Sequence, residues 1–97
     1  MKATPIHREK FTDGDGALFE IVAWKVPADE KHPEGVRYRL AFVPKGHKRP
    51  AVLYDNHHPK GHHKHIEGKE SPYLYINVHQ LRLDFRKDIE HWKKGRE

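Results

Sequence analysis

The sequence predicts an α+β domain, an antiparallel β-sheet of about four strands in meander order packed by one C-terminal α-helix. Three observations carry that expectation. Over Val36–Val43 the apolar Val36, Tyr38, Leu40 and Phe42 alternate with Arg37, Arg39 and Ala41, which is the period of a strand. Val78, Leu81, Phe85, Ile89 and Trp92 recur at spacings of three and four, the stripe of a helix lying on a sheet. The links between the apolar runs are short and rich in Gly and Pro, so consecutive strands should be antiparallel neighbours. Ninety-seven residues make one small domain, 1–97, with a modest core, and its sheet and helix are expected over 16–92.

Residues 1–12 are polar apart from Ile6 and Phe11 and are expected to fray. Asp13-Gly14-Asp15-Gly16 is turn chemistry opening into Ala17–Val26, a strand with bulk on both parities and therefore read as buried on both sides. Pro27 stops it, and a charged link leads to the alternating strand 36–43, whose Arg37 and Arg39 share the face opposite Tyr38 and Leu40. Pro44–Pro50 is a basic turn into a third strand, 51–56. Gly68–Pro72 breaks the pattern, and Tyr73–Ile76 is an extended approach to the helix. Asn77 can cap that helix, with Gln80 three residues on and Ile76 and Leu81 at the positions of a hydrophobic staple.

Between the third strand and Gly68 lies Tyr54-Asp55-Asn56-His57-His58-Pro59-Lys60-Gly61-His62-His63-Lys64-His65, which holds five of the ten histidines. Packing does not call for so many imidazoles in twelve residues. With Pro59-Lys60-Gly61 as a three-residue hairpin link, His57 falls opposite His63 and Asp55 opposite His65. Alternation then puts Leu53, Asp55, His57, His63, His65 and Glu67 on one face, and Val52, Tyr54, Asn56, His58, His62 and Ile66 on the other.

Nineteen Lys and Arg against fourteen Asp and Glu give a net charge of +5 and a pI near 9.5. The excess is local, since Lys45, Lys48, Arg49, Lys60, Lys64 and Lys69 face only Asp55 and Glu67 between residues 44 and 69. Such a patch attracts polyanions. Without cysteine there is no disulfide framework, no thiolate metal site and no cysteine nucleophile. No apolar run is long enough to span a membrane and none resembles a signal peptide, so a cytoplasmic protein with no membrane partner is expected.

Taken together, Val36-Arg37-Tyr38-Arg39, Tyr54-Asp55-Asn56-His57, His62-His63-Lys64-His65 and Pro72-Tyr73 ahead of a helix bearing Asp84-Phe85 resemble the TumE-type toxins of prokaryotic toxin–antitoxin pairs. The resemblance runs over roughly residues 16 to 92. It implies a small basic toxin encoded beside a DNA-binding antitoxin that neutralises it, and it marks Tyr54, Asp55, Asn56, His57, His63 and His65 as motif positions without fixed roles.

For chemistry, the cluster points first to a metal-independent endoribonuclease. RNA cleavage of that kind needs a base for the ribose 2′-hydroxyl, an acid for the leaving 5′-oxygen and cations for the phosphate. His57 and His63 are the candidate proton carriers, with Asp55 orienting His65. Arg37, Arg39, Lys60 and Lys64 are candidate phosphate ligands, and Tyr38 or Tyr54 could stack a base. Two other readings stand beside it. One is a binding module that holds RNA or DNA without cutting it. The other is a metal-dependent hydrolase with His63, His65 and Glu67 on one strand face, completed by Asp55 and His57, although the nearby lysines oppose a divalent cation. No metal or cofactor is therefore expected. Phe19, Trp24, Phe42, Phe85 and Trp92 read as core, and Leu83, off the helix stripe, suggests a contact with a second copy in a homodimer or with the antitoxin.

Overall fold

A computed structural model describes residues 3–96. Six strands form one antiparallel sheet in sequence order: β1 Thr4–Thr12, β2 Leu18–Lys25, β3 Val36–Val43, β4 Val52–Asp55, β5 His63–Ile66 and β6 Lys69–Pro72. A single helix, α1 Val78–Lys94, follows and docks over β4. No helix among the described residues is long and apolar enough to cross a membrane.

The expected α+β meander is present with two more strands than the sequence suggested. The first extra strand is β1, where a frayed segment was expected; Met1 and Lys2, part of that segment, lie outside the described residues. Pairing with β2 from Thr4 to Thr12 holds it in place, and Phe11 stacks on Phe19 with ring centroids 4.7 Å apart. The second is β6, which pairs with β5 through the two-residue turn Glu67-Gly68. Both turn residues have positive φ, 51° and 80°, as a type I′ hairpin turn requires.

Register sorts the side chains onto two faces. Toward α1 point Phe19, Ile21 and Ala23 of β2, Val36, Tyr38, Leu40 and Phe42 of β3, Val52 and Tyr54 of β4, and Lys64 and Ile66 of β5. These meet Leu81, Phe85 and Ile89 in the core, with Val78 and Trp92 packed at its edges. Leu40, Val52, Tyr54 and Leu81 are each at most 1% exposed. The Tyr54 ring meets Phe85 and Tyr73 edge-on, while its hydroxyl donates to the Asp88 carboxylate and the Asp84 carbonyl. Burial, reinforced by Asp88, pushes that hydroxyl well above its ordinary pKa.

The opposite face has no helix on it. It carries Leu18, Glu20, Val22 and Trp24 of β2, Arg37, Arg39 and Ala41 of β3, Leu53 and Asp55 of β4, and His63 and His65 of β5. Strand β2 is therefore buried chiefly on one side, contrary to the double burial expected, and Trp24 stands outside the core that its size suggested. At the helix start Asn77 caps as expected, its Oδ1 accepting the Gln80 N–H at 2.8 Å. The staple does not form, because Ile76 is 64% exposed.

Candidate functional site

The β4–β5 hairpin sets the site. Its ladder ends at Asp55–His63, with Leu53 opposite His65, two residues out of the expected register. The link is seven residues long, because Asn56 leaves the ladder to bond with β3. Its Oδ1 accepts the Tyr38 N–H at 3.0 Å and its Nδ2 donates to the Val36 carbonyl at 2.7 Å. In this way a side chain completes the edge of β3 where β4 has no backbone left to offer. A slip of two preserves parity, so Asp55, His63 and His65 share a face as expected although their partners change.

The predicted pair His57–His63 is consequently not a cross-strand pair. His57 lies past the ladder in the exposed link, where its N–H donates to Asp55 Oδ1 at 3.1 Å. Asp55 partners His63 instead of His65, with Oδ1 and Nε2 3.0 Å apart. The other ring nitrogen of His63 meets the Gly61 carbonyl at 2.8 Å. Both partners are oxygens that only accept, so both contacts are hydrogen bonds when the ring carries two protons. At 6% exposure and with both nitrogens engaged, His63 is placed to position its neighbours.

His65 is the more open imidazole. Its ring packs edge-on against His63 with centroids 5.1 Å apart, and Nε2 stands 3.6 Å from Glu70 Oε1, beyond hydrogen-bond length. Glu70 comes from β6, directly opposite His65, and was not singled out in the sequence because the strand itself was not. Lys60 donates to Glu70 at 2.7 Å, and this bond holds the Glu70 carboxyl below its usual pKa. The expected third residue of a metal face, Glu67, turns away at the Glu67-Gly68 turn and accepts from Trp92 and Arg96. A different trio, His63, His65 and Glu70, brings potential ligand atoms within 4.8 Å of one another. Their chemistry fits a divalent ion poorly, since His63 has no free nitrogen and the Lys60 ammonium already occupies Glu70.

Arg39 stands directly opposite Asp55, and Arg37 is two residues along the same face. Arg39 Nη1 reaches Glu20 Oε1 at 2.9 Å, whereas Arg37 has no ion-pair partner among the described residues. The remaining predicted ligands do not join the site. Lys64 projects from the helix face and pairs with Asp88 at 3.0 Å. Tyr38 and Tyr54 are 3% and 1% exposed and have no ring face to give a base. The Tyr38 hydroxyl donates instead to His62 Nδ1 at 2.8 Å, and His62 Nε2 donates to Glu34 at 2.9 Å, a bond that holds the Glu34 carboxyl below its ordinary value. His62 is sandwiched on Tyr75 at 4.7 Å, so this histidine ties the link to β3 and to the approach to α1.

Such a fold and such a face define a small basic α+β protein that presents a carboxylate-locked imidazole, an open imidazole and guanidinium groups side by side on an uncovered sheet. The family model described as Toxin TumE matches residues 3–93, and the chain belongs to that toxin family, the one its Tyr54–His57 and His62–His65 stretches resemble. The match also takes in β1, which the resemblance by residues alone left out. No curated protein and no solved structure matches the chain.

Proposed function

We propose that this chain is the toxin of a type II pair, acts in the cytoplasm, is neutralised by a cognate DNA-binding antitoxin, and cleaves RNA without a metal. The observation that supports the chemistry is the row across the open face, in which Arg39, Asp55 and His63 lie on three successive strands with His65 beside them. In this reading His65 removes the 2′-hydroxyl proton, and the freed oxygen attacks the adjacent phosphorus. The P–O5′ bond breaks, leaving a 2′,3′-cyclic phosphate and a 5′-hydroxyl. Arg37 and Arg39 carry the charge gathered on the phosphate. His57, whose backbone is tied to Asp55, gives its proton to the departing 5′-oxygen. His63 and Asp55 position the strand ends, and the Glu70 carboxylate, bonded to Lys60 and 3.6 Å from His65 Nε2, faces the charge that His65 gains as it takes the proton.

The test is cleavage of a defined single-stranded RNA with and without EDTA, scored for cyclic-phosphate ends. Cleavage by wild type should resist EDTA, and His65→Ala should slow it about 10²–10⁴-fold, the usual contribution of one acid or base. A substrate whose leaving 5′-oxygen is replaced by sulfur needs no acid, so it should restore His57→Ala and leave His65→Ala impaired. RNA retained intact by wild type would sink the nuclease and favour a binding module. Loss of cleavage in EDTA would overturn the metal-independent reading and favour a metal at His63, His65 and Glu70, which would first have to release the partners that these side chains now hold.

A further inference from the structure

The aromatic group available to a nucleic acid on the open face is Trp24. Register places it on β2 directly opposite Arg37 of β3. Val22, two residues along, is opposite Arg39, which is opposite Asp55, which is opposite His63. Cross-strand neighbours share a face, so Trp24, Arg37, Arg39, Asp55 and His63 form one continuous surface. Trp24 is partly exposed and lies outside the core, and Arg37 beside it is exposed. Arg8 and Lys10 of β1 extend the same face next to Val22 and Glu20, and neither has an ion-pair partner among the described residues.

We propose that Trp24 and Arg37 form a stacking subsite for an unpaired base and its phosphate, so that the substrate is single-stranded. This rests on the RNA-cleavage reading for the identity of the strand, but its binding step does not require cleavage. Strands lie about 4.8 Å apart and residues advance about 3.3 Å along them, so Trp24 sits roughly 16 Å from the His63 position. The base stacked there belongs to a neighbour of the nucleotide being cut. A duplex hides its base faces in its own stack, whereas a single strand can lay one on an indole while its backbone follows the arginines.

Titration of the intact protein with single-stranded oligo(dT) and with the oligo(dA)·oligo(dT) duplex tests this, because neither probe has the 2′-hydroxyl that cleavage consumes. The chain has two tryptophans, so Trp92→Phe leaves Trp24 as the sole source of tryptophan emission. Oligo(dT) should quench that emission and the duplex should not. In the otherwise native protein, Trp24→Ala should weaken oligo(dT) binding about tenfold and Trp24→Phe far less, as expected for a base–aromatic stack. Arg37→Ala should reduce the slope of log K against log salt by about 0.7. Equal binding of duplex and single strand, or oligo(dT) binding unchanged in Trp24→Ala, would overturn the subsite. So would a homodimer in sedimentation whose Trp24 emission ignores oligo(dT), for then a second copy covers the face. RNA left uncut by a protein whose Trp24 responds to oligo(dT) would remove the nuclease and leave the subsite. RNA cut normally with Trp24 silent would do the reverse.

Discussion

Replacing Asn56 by Ala should cost far more than an ordinary polar substitution in a loop. The residue is 3% exposed, and its amide satisfies two backbone groups of β3, the Tyr38 N–H and the Val36 carbonyl. Alanine leaves both without partners at the end of a strand where β4 has already stopped. Each orphaned buried group costs about 1–3 kcal/mol, so losing both should cost about 2–6 kcal/mol, a large share of the about 5–15 kcal/mol that holds a domain folded. With a urea slope at the low end of about 1–3 kcal/mol/M, the midpoint should fall by about 2 M or more. Asn56→Asp refines the test. The carboxylate still accepts from Tyr38 N–H but opposes the Val36 carbonyl, and only the protonated acid can donate to it. The folded-state pKa of that acid is therefore raised, so its stabilising bond is present below about pH 3.9 and is lost as pH rises through the folded value. Measured against wild type, the Asp variant should be least damaged in acid. A midpoint change below about 0.4 M for Asn56→Ala would refute the reasoning.

Two further outcomes follow from the core. Phe85→Ala, at 2% exposure, should lose about 3–5 kcal/mol in urea unfolding, whereas Trp24→Ala on the open face should lose clearly less; equal losses would mean that Trp24 is core after all. Burial, reinforced by neighbouring carboxylates, raises the pKa of the Tyr38, Tyr54 and Tyr73 hydroxyls. Groups raised in the fold stabilise it below their unfolded value of about 10 and cease to do so as pH climbs through the folded values. Stability followed by urea midpoint from pH 8 to 11 should decline above about pH 10, and less steeply in Tyr54→Phe; a flat profile would contradict these placements.

What the sequence made legible was whatever one face of burial imposes on it. The alternation of 36–43 and the stripe Val78, Leu81, Phe85, Ile89, Trp92 each record contact with the core, and both elements are present where they were expected. Strands β1 and β6 lie at the two edges and are largely exposed, so Thr4–Thr12 and Lys69–Pro72 carry no such record. Register in the histidine hairpin was hidden for another reason. Its length is set by Asn56 bonding to a different strand, which spacing within the hairpin does not reveal. Parity survived, so Asp55, His63 and His65 came out together while Asp55 changed partner. The tyrosines assigned to base stacking were misplaced despite a usable signal, since the alternation itself puts Tyr38 with Leu40 and Phe42. Trp24 was misplaced because Ala17–Val26 is apolar on both parities, and only the position of the helix decides which parity faces water.

The meander order separates two properties of the chain. All six strands, and with them the whole row from Arg39 to His65, are specified before Val78, while the lid over Leu40, Phe42, Val52 and Tyr54 is specified after it. A product broken off ahead of α1 would hold every group proposed for the chemistry and still present a bare apolar sheet to water. Such a fragment should aggregate or be degraded, so a chain cut ahead of α1 is expected to be inert although it holds the whole row.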